Sequence, residues 1–214
     1  MRNLILLIGM LFLTTICWAQ EAANVSESKE NMKLGTFNAL TVSLPNASDK
    51  VALNVWKSYI KAYGGKAKKV KKSKEYLSQS AVLAGINNAD PTDVYARVSE
   101  TSNGSEMTVW FSMGEFYVSS AAFPSDYTAA QKFLQDYAHE VAKELVVIEL
   151  ENEEKKYKKM EKEMKKLKKK NDGFHKDIEK AKEAIAKAER NIEENVRQQK
   201  EQTNLMEEQQ KAMT

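Results

Sequence analysis

The sequence predicts an α+β protein: a small antiparallel sheet with one packed helix, followed by a long C-terminal α-helical coiled coil. Three observations predict it. Apolar residues alternate singly in two runs either side of Ser102-Asn103-Gly104-Ser105, which is the period of a strand. Val51, Val55, Trp56, Tyr59, Ile60 and Tyr63 recur on one face at helical spacing. From Tyr157 to Ile192 apolar residues follow one another at alternating steps of three and four, the heptad pattern of a coiled coil.

The N-terminus reads as a targeting segment, to be set aside before fold reasoning. Arg2 gives a short positive start and Leu4 to Leu13 an apolar run. Cys17-Trp18-Ala19 then supplies small residues for a signal-peptidase site, with cleavage expected after Ala19. The apolar run falls short of the roughly 20 residues a membrane span needs. Cys17 could instead be a lipidated first residue, but Ile16 before it is larger than such a site prefers. Cleavage removes the only cysteine and leaves 32 Lys+Arg against 30 Asp+Glu. Exported eukaryotic domains of this size usually carry disulfides. A cysteine-free exported chain points to a bacterial envelope, in the periplasm or at the cell surface. The Asn-x-Ser tripeptides at Asn24, Asn46 and Asn103 carry little weight on that reading.

Residues 20–33 are polar and non-periodic and predict a flexible leader. The α+β domain is expected over 34–125. Gly35 to Leu44 alternates in part and stops at Pro45, a strand. Ser48 is a fitting N-cap, with Asp49 in the first turn of a helix that Gly64-Gly65 ends. Tyr76 to Ile86 predicts a second strand, and Asn87 to Thr92, with Pro91, a turn region. Val94, Ala96 and Val98 then pair with Met107, Val109 and Phe111 in a hairpin, whose Asn103-Gly104 suits a type I′ turn. Phe116 to Ser119 adds a short strand after Gly114. Trp110 alternates opposite to Phe111, so the two cannot share one core. The simpler expectation covers Trp110 with the long helix; the sharper one leaves an aromatic binding patch. Phe133, Leu134, Tyr137, Val141, Leu145 and Ile148 would dock a helix over 126–150 onto the sheet, and 151–214 is the coiled coil.

The seam of that coil is Tyr157, Met160, Met164, Leu167, Asn171, Phe174, Ile178, Ala181, Ile185, Ala188 and Ile192. So narrow an apolar strip must pair with another helix. Asn171-Asp172-Gly173 in its middle admits two readings. As a loop it would fold the helix back, setting Leu167 against Ile178, Met164 against Ala181, Met160 against Ile185 and Tyr157 against Ala188. Charge agrees with this, since 151–170 carry ten Lys and five Glu while 171–214 carry eight Lys+Arg and ten Asp+Glu. As helix, the triplet preserves the heptad phase, which a loop has no reason to do, and a mid-helix glycine costs only about 1 kcal/mol. The continuous rod is slightly preferred.

Common chemistries lack their signatures. His139 and His175 lie far apart on predicted helices and gather no ligand set. No G-x-S-x-G elbow is present. Gly64-Gly65-Lys66 lacks the strand-loop-helix setting of a phosphate loop. Asp90 and Asp93 flank Pro91 without EF-hand spacing. No catalytic residue, cofactor or metal site is therefore expected. The sharpest surface feature is Lys66, Lys68, Lys69, Lys71, Lys72 and Lys74, within nine residues. It reads either as a site for polyanions or as an edge strand guarded against aggregation by lysines. Few aromatics interleave and lysine far outnumbers arginine, which speaks against nucleic acid.

The leading expectation is an exported, non-catalytic assembly protein whose coil takes a second copy or a partner helix, with an envelope protein or anionic surface as possible ligand of the small domain. The alternative is a periplasmic holdase. The layout resembles in outline the tentacled chaperones that carry unfolded outer-membrane proteins, although their arms lie between strands whereas here the helix comes last.

Overall fold

A computed structural model describes residues 23–212. The signal peptide, its cleavage after Ala19 and the question of Cys17 lie outside the described residues. The described chain is α+β. Its strands are β1 (Val25–Met32), β2 (Gly35–Pro45), β3 (Ala67–Lys69), β4 (Tyr76–Ala81), β5 (Thr92–Thr101), β6 (Gly104–Met113) and β7 (Phe116–Tyr117). Its helices are α1 (Asp49–Ala62) and α2 (Pro124–Ala212). The strands form one antiparallel sheet in the order β1-β2-β6-β5-β4-β3, with β7 added to the end of β6. Chain contacts divide between a unit ending at Glu151 and a second beginning at Asn152.

Alternation sorts the strand side chains onto two faces. Leu40, Val42, Leu44, Val94, Ala96, Met107, Val109 and Phe111 are buried against Ala52, Trp56 and Ile60 of α1 and Phe133, Leu134, Tyr137 and Val141 of α2. Trp56 sits edge-on to Tyr137, ring centres 5.2 Å apart, and the Tyr137 hydroxyl donates to the Ala52 carbonyl at 2.8 Å. Ser48 caps α1 by accepting from the Val51 amide at 3.3 Å, and Asp49 adds a favourable charge to that end. Gly64, at φ +80°, turns the chain out of the helix as expected.

Four expectations are corrected. Within the expected leader of 20–33, Val25–Met32 is not loose but a strand, because β1 pairs with β2 along its whole length. Only its ends, Val25 and Met32, are buried, so the run between them carries no apolar alternation to betray a strand. Its polar residues instead make cross-sheet bonds: the Arg97 guanidinium reaches Glu30 at 3.0 Å and the Asn31 carbonyl at 2.7 Å.

Trp110 is not covered by the long helix. It is buried on the opposite face with Met32 and Ala39, flanked by Phe37, Tyr95 and Tyr117, and Arg97 stacks over its ring at 5.1 Å. The run Tyr76 to Ile86 stops being a strand at Ala81. Ser80 takes φ +55° in a register break, its amide donating to Asp93 at 3.0 Å, and Leu83 and Ile86 are buried as loop anchors. Finally, the hairpin loop is Ser102-Asn103, with Thr101 paired to Gly104, so Asn103-Gly104 is not the centre of a type I′ turn. Gly104 adopts φ +138° because β2 lies against it. A Cβ there would stand 2.5 Å from the Leu44 carbonyl oxygen and 2.7 Å from the Asn46 amide nitrogen.

Candidate functional site

The lysine segment falls at the sheet edge. β3 pairs only with β4 among the described strands, and Lys66, Lys68, Lys69, Lys71, Lys72 and Lys74, all exposed, line this border of the sheet. The turn after β3 is built inward around Glu75, which is buried. Its carboxylate accepts from the Ser73 hydroxyl and from the Lys33 amide at 3.4 Å, while the Lys33 ammonium donates to the Lys71 carbonyl at 3.0 Å. The lysine heads thus fringe a strand edge whose backbone groups would otherwise be open to another chain. That geometry suits the guarding role.

An open groove of about 490 Å³ lies between α1 and the first part of α2. Sequence reasoning did not single it out, since its lining residues, among them Asn54, Ser58, Tyr59, Tyr63, Glu140 and Glu144, are ordinary helix-surface types. Burial pushes the Tyr59 phenol far above its usual range, and its hydroxyl donates to the Phe133 carbonyl at 3.0 Å. Glu140 is held by Lys143 at 2.6 Å. The groove therefore presents a shielded tyrosine beside two carboxylates, Glu140, which pairs with Lys143, and Glu144. His139 and His175 both lie on α2 and neither is buried. Among the described residues no three His, Cys, Asp or Glu side chains gather as metal ligands, and no helix is long and apolar enough to cross a membrane.

The seam residues lie on the second unit. α2 runs through Asn171, Asp172 and Gly173 as helix, so the fold-back reading gives way to the continuous one. A Cβ on Gly173 would meet nothing within 4 Å. From Asn152 to Ala212 the helix would be about 90 Å long at 1.5 Å per residue. Taking Tyr157 as heptad position a, the a positions are Tyr157, Met164, Asn171, Ile178, Ile185 and Ile192, and the d positions Met160, Leu167, Phe174, Ala181 and Ala188. All are exposed, and the eight large apolar ones show between 50% and 64% of their surface. Charged residues on this stretch pair within the helix, as Lys156 with Glu153 at 2.5 Å, Lys182 with Glu179 at 2.8 Å and Arg197 with Glu194 at 2.8 Å. Exposed pairs of this kind contribute only about 0.3–0.5 kcal/mol each.

No known protein family, curated protein or solved structure matches this chain.

Proposed function

We propose that this is an exported, non-catalytic assembly protein, in which an α+β domain is carried on the same chain as an oligomerising coiled coil. The single observation that supports it is the exposed seam. Large apolar side chains recur at the coiled-coil spacing on a helix whose other faces are charged, and none of them is buried within its own unit. Each side chain of this class gains about 1.5–3 kcal/mol when removed from water, so a facing helix is the arrangement that satisfies the sequence. Export rests on the reading of residues 1–19, and the lysine fringe serves to keep the sheet edge from pairing with other chains.

The test is crosslinking in the producing cell, with a photoreactive residue in place of Phe174 on the seam and another in place of Lys176 on the solvent side. A discrete crosslinked species from position 174 and little from 176 is expected. Equal or absent crosslinking at the two positions would overturn the reading.

A holdase is the second reading. It is favoured by Met160, Met164 and Leu167 standing exposed among the ten lysines of 151–170, an apolar strip in a basic setting. It requires that the purified protein delay aggregation of a denatured outer-membrane β-barrel protein, and that Met164→Lys with Leu167→Lys abolish the delay. No delay would remove it.

A further inference from the structure

We infer that the occupant of the seam is a second copy of this chain, lying parallel and in register in a two-stranded coil. The inference rests on the self-association proposed above and adds its partner, direction and register. Three features of the helix carry it.

The first is the charge flanking the seam. In a parallel pair each g residue faces the e residue of the next heptad on the other helix, and such pairs set partner choice. Here Lys156 would face Glu161 of the second copy, Glu163 would face Lys168, and Asp177 would face Lys182. Two-fold symmetry makes each of these twice. Of the remaining pairs, Lys170 faces His175, Ala184 faces Glu189, Asn191 faces Val196 and Gln198 faces Thr203, and only Glu149 with Glu154, in the heptad before the seam, sets like charges together. The present bonds of Lys156 and Lys182 within their own helix are exposed and weak, so they are no obstacle to the exchange.

The second feature is Asn171. It occupies an a position, where the parallel arrangement sets it against its own copy, amide to amide. A single asparagine at a is a device that fixes register and restricts the coil to two strands, at some cost in stability. The third is the run of Ile178, Ile185 and Ile192 at a, the β-branched type a two-stranded coil takes at that position, here beside Phe174, Ala181 and Ala188 at d in place of leucine.

An antiparallel pair is the competing geometry, and it has merits. It would set Met164 against Ala181 and Tyr157 against Ala188 of the other copy, and bring Glu161 to Lys182 and Lys170 to Asp177. It would also oppose the basic stretch 151–170 to the acidic one. One term counts against it. Asn171 would face the Phe174 ring, which offers no hydrogen-bond partner, and a buried unpaired amide costs about 1–3 kcal/mol. Glu154 would meet Glu189, but the parallel pair sets Glu154 against Glu149, so this contact does not separate the two geometries. The charge of the basic stretch decides little, since seven of its ten lysines are at positions b, c or f, facing solvent. Charges so placed on two helices are largely screened beyond a Debye length of about 8 Å.

The test is disulfide trapping in the full chain carrying Cys17→Ser, which removes the only native thiol. Ala188→Cys is added, and light scattering is run on the reduced protein before mild oxidation. A reduced dimer that oxidises almost wholly to a covalent dimer is expected, with Met160→Cys giving the same result should Ala188→Cys disturb the coil. A reduced dimer that neither single-cysteine chain crosslinks, but that a mixture of Tyr157→Cys and Ala188→Cys chains does, would overturn the parallel register and leave self-association standing. In that antiparallel case the two thiols introduced by Ala188→Cys would lie about 46 Å apart along the axis at 1.5 Å per residue. A reduced monomer would overturn self-association itself.

Discussion

Gly104 shows how much a single position can fix. Its backbone at φ +138° and its close approach to Leu44 and Asn46 leave no space for a side chain, and the atoms in the way are backbone. Gly104→Ala is therefore expected to destabilise the α+β unit by about 3 kcal/mol or more, read as a drop in the urea midpoint. The buried tyrosines make a second prediction. Burial holds the Tyr137 phenol far above its usual range, and burial first, then Tyr63, does the same for Tyr59. A raised acid contributes stability that is complete below the unfolded-state value, near 10, and is lost as pH climbs through the folded one. Above pH 10 the unfolded chain ionises first. Tyr137 then loses up to about 1.4 kcal/mol of its contribution per pH unit. At pH 9 Tyr137→Phe should be less stable than the native protein by about 1 kcal/mol, the net worth of its bond to Ala52. By pH 11 the difference should shrink or reverse in urea titrations. An unchanged difference would mean that the hydroxyl is not shielded as described.

At the scale of elements, the clearest prediction concerns the middle of α2. Gly173 is helical and faces open space, so Gly173→Ala should stabilise the helix by about 1 kcal/mol, seen as a higher midpoint in circular dichroism at 222 nm. A loop at this point would gain nothing from alanine. The uninterrupted heptad phase across Asn171-Asp172-Gly173 made this continuity legible in the sequence. Likewise α1 was legible, because Ser48, the 51–63 periodicity and Gly64 all act locally. β1 was not, since its apolar residues lie only at its ends and its polar middle is chosen by Arg97 of β5, distant in sequence. The cover over Trp110 escaped for the same reason: Met32 and Ala39 come from other strands, and no local pattern announces them. The hairpin strands were legible and their turn was not, because Gly104 answers to the neighbouring β2 rather than to its own loop. Of the candidate sites, the seam and the lysine run are linear patterns and could be read directly. The groove between α1 and α2 is assembled from two helices, so single-sequence periodicity had no means of finding it.

At the scale of the whole molecule, the chain combines a unit that satisfies its own core with one that does not. The first buries side chains on both faces of its sheet, one set against α1 and α2 and the other around Trp110. The second exposes every large side chain on its apolar strip. A helix without tertiary contacts must rely on propensity and on weak pairs between neighbouring turns. Lys, Glu, Ala and Gln supply both here, so a solitary charged helix is the arrangement against which self-association has to be judged. What separates the two is the strict step of three and four over five heptads. A solitary helix has no use for it. Light scattering of the native protein across a dilution series from high to low micromolar tests this most directly. The account predicts twice the mass of one chain at the upper end, falling towards one chain only on dilution or on introducing Ile178→Lys with Ile185→Lys. A single-chain mass throughout, with the helix signal intact, would contradict it.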